Sequence, residues 1–173
     1  MLFRSAIPTI EFTTQTVLSS STPSNGTTNI DTSTNTIVLE FSGELNTAGS
    51  VTLTPDSGTA QTFDIEDTNE VVKSNSNKTL TLQGVNLSNS TTYTLSYSLE
   101  DNTNDNNTIT VPTIEFTTQT VLSSSTPSNG TTNIDTSTNT IVLEFSGELN
   151  TAGSVTLTPD SGTAQTFDIE DTN

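Results

Sequence analysis

The sequence predicts an all-β protein, an antiparallel β-sandwich of about seven strands in tandem repeat, and three observations predict it. First, the 62 residues from Pro8 to Asn69 return letter for letter from Pro112 to Asn173, a period of 104 residues. Self-similarity at a fixed spacing marks a repeat architecture, and this spacing is the size of one immunoglobulin-like (Ig-like) sandwich, not of a solenoid turn. Second, the apolar residues, only 28% of the chain, fall at every second position in short runs. Third, turn signals recur about every eight to twelve residues and no helical periodicity interrupts them.

The period divides the chain. One whole repeat fits, from Val17 to Thr120, residues 17–120. Residues 1–16 read as a non-native start followed by the last strand of a preceding repeat, and residues 121–173 as a truncated second repeat holding the first half only. A true copy before Pro8 would resemble DNNTITV, Asp105 to Val111, but the chain reads MLFRSAI. LFRS resembles a translated sequencing adapter, so Met1 to Ser5 is expected to be foreign to the repeat.

Within the whole repeat, Val17 to Ser20 is a short first strand. TPSNG and TTNIDTSTN follow as a turn-rich connection, marked by Pro23, Asn25-Gly26 and a cluster of Asn, Asp and Thr. Thr36 to Ser42, TIVLEFS, places Ile37, Leu39 and Phe41 on one face and Val38, Glu40 and Ser42 on the other, the pattern of a half-buried strand. GELNTAG reads as a loop, and SVTLTP as a third strand with Val51 and Leu53 inward. Gln61 to Lys73 reads as one long strand with a bulge, because a chain joining identical units end to end needs an odd number of strands. Leu80 and Leu82 point inward from Lys78 to Gly84, as do Tyr93, Leu95, Tyr97 and Leu99 from Thr91 to Glu100. Tyr93, at the head of its strand, is placed to anchor its hydroxyl to backbone across the preceding loop, a tyrosine corner. The last strand is expected from Thr108 to Gln119, with a bulge at Pro112 on a sheet edge.

These residues carry a family resemblance. VLSSSTPSNGTTNIDTSTNTIVLEFSGEL resembles the opening of the S-layer-type bacterial Ig-like family at Pro23, Gly26, Ile30, Phe41, Ser42 and Glu44, and TTYTLSYS resembles that family's Thr-Tyr-Thr strand. The likeness covers Val17 to about Gln119. Where the family shows Asp-x-x-Gly-Asn, this chain has Asp101-Asn102-Thr103-Asn104-Asp105, with Asn104 in place of Gly; Asn tolerates the same left-handed backbone. The resemblance implies an extracellular, bacterial cell-surface location and no catalysis.

Composition narrows the chemistry. Threonine, serine and asparagine number 40, 23 and 18, and 20 acids against 3 bases leave a net charge of −17. A polyanion such as nucleic acid would be repelled. The plain reading of the charge is solubility. With no Cys and no His, disulfides, thiolate nucleophiles, zinc-thiolate sites and the usual general base are all absent. No run reaches the roughly 20 apolar residues of a membrane span. The carboxylate pairs Asp64 with Glu66 and Asp101 with Asp105 lack a nucleophile-base constellation, and the first pair simply alternates with Phe63 and Ile65. The Asn-x-Thr/Ser sequons at Asn25, Asn77, Asn86, Asn89 and Asn106 are expected by chance in so Asn- and Thr-rich a chain.

The sharper metal hypothesis is calcium at the junctions between repeats. Glu44, Asp101 and Asp105 are expected on loops at the end where the chain enters, Asp31 and Asp56 at the end where it leaves, and Ca²⁺ takes six to eight oxygens. The alternative is that these are ordinary turn residues capping their own backbone. No other cofactor is expected.

Two function classes follow. The preferred one is a structural stalk of a bacterial adhesin or surface-layer protein, whose partners are the neighbouring identical repeats and whose contact with surface glycans, if any, runs through other domains. The other is a repeated weak binding module for carbohydrate or surfaces, with avidity from repetition. The second needs exposed aromatics, and Phe41, Phe63, Tyr93 and Tyr97 fall on inward registers.

Overall fold

The computed structural model describes residues 14–102, 108–109, 112–149 and 152–169. The chain divides into two compact units at Thr118 and Gln119. Among the described residues every regular element is a strand. In the first unit they are β1 (Leu18–Thr22), β2 (Thr27–Ile30), β3 (Thr36–Phe41), β4 (Leu45–Pro55), β5 (Gln61–Asp64), β6 (Val71–Ser74), β7 (Thr79–Gln83), β8 (Thr92–Asp101) and β9 (Ile114–Thr118). One sheet runs β1-β3-β7-β6 and the other β2-β9-β8-β4-β5.

This is an immunoglobulin-type sandwich with an added edge strand, β5, beyond β4. The first strand is divided between the sheets. It pairs with β3 up to Thr22, leaves that sheet at buried Pro23, and rejoins the opposite sheet as β2 beside β9. The β2–β9 pairing is parallel and all the others are antiparallel.

The predicted alternation holds where one sheet face is buried. Ile37, Leu39, Val51, Leu53, Leu80, Leu82 and Leu95 are fully buried, with Phe41, Phe63, Tyr93, Ile114 and Phe116 closing the layer between the sheets. Tyr93 and Phe116 stack with ring centroids 5.6 Å apart. Burying side chains of this size stabilises by about 1.5–3 kcal/mol each relative to exposure, which offsets the low apolar content of the chain.

Four segments differ from the sequence reading. Thr27 to Ile30, expected within a turn-rich connection, is a strand; only Ile30 in it packs against the core, so it shows no period-2 signal. GELNTAG, expected as a loop, is mostly the start of β4, whose pairing with β8 slips between Leu45 and Gly49. Gln61 to Lys73, expected as one bulged strand, is two strands in different sheets. The acids between them set this break. Asp64 Oδ1 accepts the Glu66 N–H at 2.9 Å and Asp67 Oδ1 accepts the Asn69 N–H at 2.9 Å, while the Val71 N–H donates to the Asp67 carbonyl at 2.8 Å. Carboxylates that read as the wet face of a strand are caps of two successive turns. The last strand, expected from Thr108 to Gln119 with a bulge at Pro112 on a sheet edge, is the shorter β9, which starts after Pro112 and is flanked by β2 and β8; Ile109 stays buried, its N–H donating to the Leu99 carbonyl at 2.9 Å.

The second unit repeats the opening half of the first. Its strands are β10 (Leu122–Thr126), β11 (Val142–Phe145), β12 (Ser154–Leu157) and β13 (Gln165–Asp168), paired β10-β11 and β12-β13. The registers are copies: Leu122 faces Phe145 as Leu18 faces Phe41, with the same slip after it, and Ser154 faces Asp168 as Ser50 faces Asp64.

Candidate functional site

The two ends of the first sandwich are where chemistry would have to sit, because its faces present Thr and Ser and its interior is apolar. Leu18 lies opposite Phe41, at the end where β8 finishes, and Thr118 lies at the end where β8 begins, so the chain enters and leaves at opposite ends.

The exit end is closed by a polar cluster around the loop from Gly84 to Thr91. The Tyr93 hydroxyl accepts the Ser88 N–H at 2.8 Å, the tyrosine corner expected from the sequence. Buried Thr118 Oγ1 donates to the Ser88 carbonyl at 2.6 Å and accepts the Thr91 N–H at 2.9 Å. These groups are hydrogen-bonded to one another, which makes them a fastening, not a site open to substrate.

The predicted calcium ligands distribute as follows. Asp31 and Asp56 lie at the exit end, just past β2 and β4. Asp31 Oδ1 accepts the Ser33 N–H at 2.8 Å; that bond first, and the Ser33 hydroxyl second, hold its carboxyl below the ordinary aspartate value. The Asp56 N–H donates to the Thr92 carbonyl at 2.8 Å. At the entrance end the Glu44 carbonyl accepts the Asn102 N–H at 2.9 Å and its Oε2 accepts from the Asn102 amide at 3.5 Å. Asp101 is not on a loop. It ends β8 opposite Leu45 and is buried, at 1% exposure. Asp105, with Asn104, lies outside the described residues. Among the described residues no three acidic side chains come together to hold a metal ion.

The carboxylate pair Asp64 and Glu66 is exposed and engaged in turn capping. Tyr97 is half-buried, its hydroxyl has no partner, and burial pushes its ionisation well above the ordinary tyrosine value. No aromatic side chain of the first unit's strands stands out from the surface.

In the second unit a hollow of about 760 Å³ opens between Ile141, Leu143, Phe145, Val155, Leu157 and Phe167. Their counterparts in the first unit, from Ile37 to Phe63, are all buried core. Phe63 is 5% exposed and Phe167 is 54% exposed. The hollow is therefore the inner surface of a sandwich half and not a preformed ligand site.

One contact was not legible beforehand. Asn25 Oδ1 accepts the Glu115 N–H at 2.8 Å and the Gly26 N–H donates to the Glu115 carbonyl at 2.7 Å, which fastens the crossover of the first strand to β9. Asn-Gly in the sequence signals a turn, with nothing to show that a strand ninety residues later completes it.

A two-sheet sandwich with this strand order, a divided first strand and a tyrosine corner defines an Ig-like domain. The sequence profile described as Bacterial Ig-like domain matches residues 12–118, and the chain belongs to that family. Domains of this family are non-catalytic and occur in bacterial surface proteins. No curated protein matches the chain. Among the described residues no helix is long and apolar enough to cross a membrane.

Proposed function

We propose that the chain is a non-catalytic structural repeat, a stalk or spacer of the S-layer type in a bacterial extracellular adhesin or surface-layer protein. The observation that supports this most is the polarity of the first unit: the chain enters at one end of the sandwich and leaves at the other. Only Gln119 to Val121 separate β9 from β10, with no Gly or Pro among them, so copies follow one another without a flexible spacer. Identity over 62 residues favours reach over individuality, since identical neighbours risk exchanging strands while folding.

Scattering from chains of one, two and four repeats tests the reading. Each added repeat should lengthen the particle by roughly 30–40 Å, from strands of about ten residues at 3.3 Å each. A maximum dimension that does not grow with copy number would refute the spacer role. Calcium at the repeat junctions belongs to the same proposal, with Asp31, Glu44, Asp56, Asp101 and Asp105 as the candidate oxygen ligands. Melting a two-repeat chain in Ca²⁺ and in chelator tests it, and an unchanged midpoint dismisses it.

A further inference from the structure

We propose that the complete repeat has a further function, to carry tension along the chain, and that the clasp of Asn25 and Gly26 on Glu115 is the contact that holds against the pull. The proposal rests on the spacer reading, since a chain is stretched along its length only when it is held at both ends.

Topology sets the line of force. The first strand enters at one end of the sandwich and β9 leaves at the other, so tension drags the first strand towards the entrance and β9 towards the exit. β9 is an inner strand between β2 and β8, and its last residue is tied to the exit loop. The Thr118 N–H donates to the Thr91 carbonyl at 3.0 Å and Thr118 Oγ1 donates to the Ser88 carbonyl at 2.6 Å. The first strand, by contrast, is an edge twice over, as β1 in one sheet and as β2 in the other. It is the piece that can slide out.

Three contacts resist the slide. At the entrance the Val17 N–H donates to Ser42 Oγ at 3.0 Å and the Ser42 N–H to the Val17 carbonyl at 2.9 Å, ahead of the antiparallel β1–β3 pairing. Past Pro23, β2 runs parallel to β9, with Thr27 beside Phe116 and Ile30 beside Thr118. Just before β2 stands the clasp, in which Asn25 Oδ1 accepts the Glu115 N–H at 2.8 Å and the Gly26 N–H donates to the Glu115 carbonyl at 2.7 Å. β1 passes its load to β3, which reaches β9 only through the rest of the sandwich. β2 and the clasp join the two pulled segments directly. Parallel strands drawn from opposite ends are loaded in shear, so the bonds between them stretch together and share the force. The same strands drawn apart from one end would open a bond at a time. Because the β2–β9 register is interrupted between its two matched positions, the two hydrogen bonds of the clasp are a large part of what shares the load.

The chain has no cysteine, so a pair of introduced thiols fixes the line of pull on the full chain. Gln15→Cys with Gln119→Cys draws the first strand and β9 past each other. Ser33→Cys with Gln119→Cys peels β2 from β9 at the exit end, where both strands finish. In single-molecule stretching the first pair should hold to a higher force than the second. Forced rupture follows the unfolding rate, so Asn25→Ala, which deletes one bond of the clasp, should speed rupture in shear about two- to tenfold at a given force. Gln61→Ala is the control, because it deletes two side-chain bonds to the Asn86 backbone, of 2.6 and 3.0 Å, that lie off the line of force. It should lower the urea midpoint and leave rupture in shear unchanged. Equal forces along the two lines of pull, or Asn25→Ala no faster in shear than Gln61→Ala, would overturn the proposal. If particle length still grew with copy number, that result would strike the clasp and leave the spacer reading standing.

Discussion

Removing one oxygen from β8 should have opposite consequences at two positions four residues apart. Tyr93→Phe deletes the acceptor of the Ser88 N–H, a 2.8 Å bond at a part-buried site, and leaves that donor unpaired. Such an orphan costs about 1–3 kcal/mol. Tyr97→Phe deletes a hydroxyl that is buried with no partner, so it removes a desolvated polar group and keeps the ring; the first unit should become more stable by up to about 1 kcal/mol. The alkaline limb separates them further. Burial raises the Tyr97 ionisation above its unfolded value of 10.0, so the unfolded chain gives up its proton first and stability falls as pH rises past that value. Tyr97→Phe should flatten this loss. The chain has two tyrosines and no tryptophan, both tyrosines in β8, so tyrosine fluorescence during urea unfolding reports the first unit alone, and each variant keeps one probe. Equal destabilisation by the two substitutions would refute the assignment of one hydroxyl as fastened and the other as orphaned.

Gly49, at φ +143°, has the Ser98 carbonyl oxygen 2.5 Å from where a Cβ would sit, so Gly49→Ala should lower the urea midpoint by the equivalent of about 1–3 kcal/mol. Leu53 is fully buried and its repeat-mate Leu157 is 45% exposed. Leu53→Ala should therefore cost about 2–5 kcal/mol in the tyrosine-monitored transition, and Leu157→Ala should leave that transition unmoved. The Asp31 carboxylate caps the Ser33 N–H, so an NMR titration should give it a midpoint below 3.8, and the capping contribution, complete above that pH, should fade as pH drops through the lowered value. A midpoint at or above 3.8 would contradict the cap. A glycan array probed with one isolated complete repeat should show no binding, because Phe41, Phe63, Tyr93 and Phe116 are all committed to the core.

Much of the fold was legible because β-sandwich strands advertise themselves by period. Ile37-Leu39-Phe41, Leu80-Leu82 and Tyr93-Leu95-Leu99 alternate in the sequence and lie buried in the structure. What was not legible has local causes. β2 has one core contact at Ile30 and is defined by its partner β9, far away in the chain. The break between β5 and β6 is written in Asp64 and Asp67, whose capping of two turns looks, letter by letter, like a polar strand face. The candidate metal ligands were legible only as positions: Asp31, Asp56 and Glu44 fall at the expected ends, but spacing cannot tell a loop aspartate from Asp101, the buried last residue of β8.

Stretching a chain of several repeats between a tip and a surface tests the central claim most directly. Independent sandwiches in series should unfold one at a time, each releasing roughly 300–340 Å, the reach of a 104-residue period less its folded length. A featureless extension, or steps unrelated to that period, would contradict a spacer built of separate, self-sufficient beads.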